Sequence, residues 1–178
     1  DGWIERDQQG ISNLYNYNYW SSPVGPVNGS VNNNNYTVAT IMRDGTNPAT
    51  PTPINWVGGY NGAPTSPISV ARYWIFKFQN TTGVYANWSQ VLETGVLSPS
   101  QGYTMKGSGA ATPKQNYTFV GKPFNGIITN PISANNLNLS GNPYSSAIDA
   151  DKFIDDNISS VAGQSTTTGT IYYWEHSL

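Results

Sequence analysis

Apolar side chains in this sequence recur at every second position, in short runs that Gly, Pro and Asn-Gly cut off at roughly ten-residue intervals. That period belongs to strands, and the punctuation is heavy: 18 Gly and 12 Pro in 178 residues. Proline withholds a backbone N–H and glycine admits backbone angles closed to other residues, so each ends a strand in its own way. The strongest run is Ile68 to Phe78, with Ile68, Val70, Arg72, Trp74, Phe76 and Phe78 on one side and Ala71, Tyr73, Ile75 and Lys77 on the other. Two largely covered faces suit a central strand. Asn13 to Trp20, Tyr36 to Met42, Ile54 to Tyr60, Tyr85 to Leu92, Tyr103 to Lys106, Tyr117 to Val120, Asn136 to Leu139 and Ile171 to Trp174 read as further strands. Arg6 to Gly10 reads as a polar loop.

One stretch breaks the pattern. After Gly141-Asn-Pro143, Ser146-Ala-Ile-Asp149 has the spacing of a capping box. Behind it Ala150, Phe153, Ile154 and Ile158 form a single apolar stripe at helical spacing. The expected fold is therefore all-β, an antiparallel β-sandwich or jelly roll, with one short helix near residues 146–158 laid against it. Trp20, Trp74, Phe76, Phe78, Phe119, Leu139, Phe153, Ile154 and Trp174 are the expected core. At 178 residues the whole chain, 1–178, reads as a single β domain.

Composition excludes several classes. Charged residues make up 10% and aromatics 13%, a balance opposite to that of a disordered chain. A net charge of -2, with eight basic residues spread along the sequence, gives no footprint for nucleic acid. No apolar run approaches the ~20 residues that span a bilayer. Cysteine is absent, which removes disulfides and thiol chemistry without assigning a compartment.

Five segments together resemble large surface and secreted proteins of the Bacteroidota exported by the type IX secretion system. They are Tyr19-Trp-Ser-Ser-Pro-Val, Gln101-Gly-Tyr-Thr-Met-Lys-Gly, Asn116-Tyr-Thr-Phe-Val-Gly-Lys-Pro-Phe-Asn-Gly, Gly141-Asn-Pro-Tyr-Ser-Ser-Ala-Ile-Asp-Ala-Asp-Lys-Phe and Gly169-Thr-Ile-Tyr-Tyr-Trp-Glu-His. They occur in that family's order; Ser145 departs from it, where proline is frequent. The resemblance implies an extracellular or cell-surface protein whose partners are neighbouring domains of the same long chain and the secretion or surface machinery. It implies no reaction. The sequence opens at Asp1 with neither a basic nor an apolar leader segment and stops at Glu175-His-Ser-Leu178, where the resembled proteins continue. It reads as an excised or processed piece of a longer secreted protein.

Three kinds of chemistry deserve a place. Asp149, Asp151 and Asp155 are the metal candidates: calcium takes several hard oxygens at one point, though the spacing is not that of an EF-hand. First-turn carboxylates that offset a helix dipole account for the same residues. Tyr15, Tyr17 and Tyr19, with Tyr60 and Trp88, are the candidate ligand-binding residues, an aromatic platform for carbohydrate. Tyrosines at period two are equally one packed face of a sheet. His176 is the one histidine, without an accompanying nucleophile elbow or zinc motif. Glu5, Glu93 and Glu175, the acids a glycoside-cleaving pair would draw on, lie far apart in sequence. The reading is a non-catalytic structural or adhesive module, with a carbohydrate-binding module as the alternative and a glycoside-active enzyme behind both. No catalytic residue is assigned and no cofactor is required, calcium being the single possibility.

Overall fold

The computed structural model describes residues 2–158 and 167–173. The chain divides into two compact units, residues 1–145 and 146–178. Eleven strands run through the first: β1 (Ile4–Ile11), β2 (Tyr17–Trp20), β3 (Val24–Gly25), β4 (Met42–Asp44), β5 (Thr52–Pro53), β6 (Asn55–Val57), β7 (Ser69–Ala71), β8 (Phe76–Lys77), β9 (Ser89–Gln90), β10 (Tyr103–Lys106) and β11 (Lys114–Pro123). A four-residue helix, α1 (Val38–Ile41), precedes β4, and α2 (Ala150–Asn157) lies in the second unit. The fold is all-β and sandwich-like, and among the described residues the strands pair antiparallel except β6 with β7.

The organising strand is β11. It pairs along its length with β1, through its middle with β4 and at its end with β3. The sheet order is β1-β11-β4-β5. Gln115, Tyr117, Phe119 and Gly121 alternate inward from β11 and are buried. Opposite them stands the two-stranded sheet β2–β10, in register Tyr17↔Lys106, Asn18↔Met105, Tyr19↔Thr104 and Trp20↔Tyr103. The inward faces of that pair carry Trp20, Tyr103 and Met105, all buried.

Trp20 joins the two sheets. Its ring lies 5.4 Å from that of Tyr117 and 5.8 Å from that of Phe119, edge and tilted contacts that aromatic quadrupoles favour. Gly10 of β1 lets it approach; a Cβ there would stand 2.6 Å from the indole. Val24, Val38, Ile41, Met42, Val70, Ile75 and Leu97 complete the fully buried core. A side chain closes the open flank of β1: Asn18 Oδ1 accepts from the Ile11 N–H at 2.7 Å and its Nδ2 donates to the Ile11 carbonyl at 2.9 Å.

Several expectations are corrected here. Residues 4–11 form a full strand rather than a loop, because eight consecutive backbone partners on β11 outweigh a polar sequence. Tyr36 to Met42 is a bridge to Leu97 followed by α1, which Thr37 caps. The run from Ile68 to Phe78 is interrupted: Arg72–Trp74 is a 3₁₀ turn closed by the Ile75 N–H donating to the Arg72 carbonyl. Trp74 and Phe76 are therefore half-buried, as is Leu139, while Trp20, Phe78 and Phe119 are core residues as expected. Most of Tyr85 to Leu92 is 3₁₀ turn and coil around the short β9, and residues 136–140 make only isolated bridges. Residues 171–173 are not in strand. Trp174 lies outside the described residues.

In the second unit α2 begins later than the capping-box reading placed it. Asp149 is itself the N-cap, its carboxylate accepting from the Lys152 N–H at 3.0 Å. Phe153 is 44% exposed and Ile154 half-buried, so neither is a core residue: two helical turns give the stripe too little surface to pack against. Gly169, at φ +79, lies so close that a Cβ would meet Ile158 at 2.7 Å.

Two outcomes follow from this packing. Phe119→Ala should lower the unfolding free energy in urea by about 3–5 kcal/mol, and Phe153→Ala by at most about 0.5 kcal/mol, as at ordinary surface sites. Burial raises the phenol pKa of Tyr36, Tyr103 and Tyr117 above the ordinary value of 10.0, with Asp44 adding to the rise at Tyr117. A group with a raised folded-state pKa stabilises the fold below its unfolded pKa and loses that contribution above it. Stability should therefore hold up to about pH 10 and then fall, by about 1.4 kcal/mol per pH unit for each phenol that stays protonated only when folded. Urea midpoints across that range check this.

Candidate functional site

The outward face of β2–β10 carries what the inward face does not need. Because side chains alternate across a strand, burying Asn18 and Trp20 turns Tyr17 and Tyr19 outward, with Thr104 and Lys106 facing the same way from β10. Thr104 then anchors the segment that crosses above. Its hydroxyl donates to the Trp74 carbonyl at 2.9 Å and accepts from the Phe76 N–H at 3.2 Å. One side chain thus does the work of a strand partner and fixes the 3₁₀ turn bearing Tyr73 and Trp74.

An aromatic strip results. Trp74 packs edge-on to Tyr17 at 5.9 Å and Tyr73 stands 4.8 Å from Trp74. Tyr60 comes back over both, 4.8 Å from Tyr73 and 5.8 Å from Trp74. Gly59 makes that return possible at φ +82, a conformation costly to any residue with a Cβ. The Trp74 indole N–H donates to the Tyr60 carbonyl at 2.6 Å and locks the loop down. Further along, Trp88 lies 6.4 Å from Tyr19 and 5.1 Å from Phe78. Tyr85 is 85% exposed and Tyr60 62%.

The electrostatics follow the geometry. Partial burial raises the pKa of Tyr17 and Tyr19, and the neighbouring phenol of Tyr85 pushes both the same way. Lys106 Nζ sits 3.7 Å above the Trp74 ring centroid and 4.9 Å from that of Tyr17, a cation held between two faces. Desolvation lowers its pKa. At the far side Arg72, 48% exposed, pairs with the buried Glu93 at 3.3 Å. Gln90 Nε2 donates to the Tyr73 carbonyl at 2.8 Å. The strip therefore offers exposed rings, amide groups and a fixed ammonium on a sheet-backed surface.

Of the residues picked from sequence, Tyr17, Tyr19, Tyr60 and Trp88 lie in this strip. Tyr15 does not share their strand. It stands in the turn before β2, 82% exposed, where Asn13 Oδ1 accepts from the Tyr15 and Asn16 N–H groups. Tyr73, Trp74, Tyr85 and Lys106 went unpicked; Trp74 and Tyr73 look like strand interior until the 3₁₀ turn is seen. The acidic residues behave differently. Asp149 is occupied as the N-cap, Asp151 and Asp155 are exposed along α2, and Asp156 pairs with Lys152 at 2.8 Å. Among the described residues no three acidic or histidine side chains gather into a metal-holding group. Glu5 is exposed on β1, and His176 and Glu175 lie outside the described residues.

The anchor can be tested. Thr104→Val keeps the shape and leaves the Phe76 N–H and the Trp74 carbonyl without their partner, so urea unfolding should show a loss of about 1–3 kcal/mol. Tryptophan emission should shift to longer wavelength as Trp74 loosens.

The family described as Domain of unknown function (DUF8693) matches residues 30–178, and the chain belongs to it. No curated protein and no solved structure matches the chain significantly.

Proposed function

We propose that this family member is a non-catalytic adhesive module of a bacterial surface or secreted protein of the Bacteroidota, exported by type IX secretion, and that the aromatic strip is its contact surface. The supporting observation is the exposure of Tyr60, Tyr73 and Tyr85 around the half-buried Tyr17 and Trp74. Rings that served only to pack the sheet would be covered; Tyr60 and Tyr73 pack against Trp74 and stay open to solvent. Export and surface location rest on the resemblance of the five sequence segments, which carries with it neighbouring domains of a longer chain as partners.

The ligand class that suits such a surface is carbohydrate. Sugar C–H faces stack on rings, and hydroxyls take hydrogen bonds from amides and charged donors. Gln90, Lys106 and Arg72 stand where such bonds would be made. The non-catalytic assignment rests on what the acids do: Glu93 is buried against Arg72, and Glu5 lies on an exposed strand. A purely structural spacer is the second reading, favoured by the mutual T-shaped packing of Tyr60, Tyr73 and Trp74, which satisfies the rings without a ligand.

Binding to a panel of immobilised polysaccharides and to a panel of surface proteins separates the two. The chain should retain one or more glycans, and Tyr60→Ala or Trp74→Ala should weaken that binding roughly tenfold while the variants keep a wild-type circular dichroism spectrum. Binding to no glycan at all would favour the spacer.

A further inference from the structure

Of the strip's two cations Arg72 is held by Glu93, while Lys106 has no ion-pair partner among the described residues. Among the described residues the ion pairs are Arg72–Glu93 and Lys152–Asp156, neither of them at Lys106, and burial lowers the Lys106 pKa. The charges of the first unit point the same way. Residues 1–145 hold seven Lys and Arg against five Asp and Glu, so the overall -2 arises entirely from residues 146–178. Of those five acids, Asp44 is buried and accepts from the Ile68 N–H and from Thr46, and Glu93 faces Arg72. Asp1, Glu5 and Asp7 belong to the N-terminal segment.

We propose that the strip selects anionic glycans, chains bearing uronate carboxylates or sulfate esters, with Lys106 as the residue that meets the anionic oxygen. This rests on the glycan reading given above and adds its specificity. The rings of Trp74 and Tyr17 hold the ammonium at 3.7 and 4.9 Å, so its position is set before a ligand arrives and little side-chain freedom is lost on binding. A partly desolvated site strengthens a charge-assisted bond. Sugar faces would then lie on Tyr60 and Tyr73 to one side of the cation and on Tyr85 to the other.

The test compares three probes on the full chain by calorimetry at low and moderate salt: polygalacturonate, dextran sulfate and neutral dextran. The wild type should bind at least one acidic probe more tightly than neutral dextran, with affinity falling as salt rises, and the preferred acidic probe tells carboxylate from sulfate. Lys106→Gln should lose about tenfold on that probe, Lys106→Arg should recover much of it, and Lys114→Gln on β11 should change nothing. Equal binding of acidic and neutral probes, or of wild type and Lys106→Gln, would overturn the selectivity and leave the glycan reading standing. An equal loss in Lys114→Gln would overturn it in favour of diffuse charge. Binding to none of the probes or to any panel glycan would remove both.

Discussion

Two thin sheets cannot stay apposed on strand propensity alone; something must fill the gap between them at interior density. Here the filler is the indole of Trp20, set against Tyr117 and Phe119. Three features are arranged around it. β11 is paired on both flanks, which holds the receiving surface in place. Gly10 leaves room for the ring edge. Met105 and Tyr103 of β10 close the cavity from the other sheet. Because Trp20 must face inward, the facing of every other residue on β2 is determined, and a slip of one position would reverse them all.

The aromatic strip is the other consequence of that facing. Tyr17 and Tyr19 look outward because Asn18 and Trp20 look inward. The register with β10 then sets Lys106 beside Tyr17 and Thr104 beside Tyr19. The hydroxyl of Thr104 brings the 3₁₀ turn, and the turn brings Trp74 over the ammonium. Core and surface are thus two readings of one four-residue strand.

How much of this was legible depended on whether a signal was local. The alternation of Tyr17 to Trp20 and the run Tyr117 to Val120 within β11 are visible in sequence because period two is a local signal. β1 was not visible: Ile4–Ile11 is an edge strand whose residues are mostly solvated, so it lacks apolar alternation and owes its form to pairing with a segment more than a hundred residues away. Arg72-Tyr-Trp74 was misread because its alternation is genuine, and only the hydroxyl of Thr104, thirty residues on, takes the backbone out of a ladder. At α2 the tetrad Ser146 to Asp149 offers two capping residues three apart. The second won, since Asp149 reaches the Lys152 N–H. The strip itself draws on five separated segments, so sequence could nominate rings but not join them.

The amide of Asn18 closes on the backbone of Ile11 as a neighbouring strand would, giving one acceptor and one donor. A side chain cannot be extended as a strand can, so the hydrogen-bond ladder stops there. Upstream on the same edge strand Glu5 and Arg6 place exposed charges of both signs, a deterrent to a second chain laying itself alongside. The sheet ends where it does because its edge is written to refuse growth.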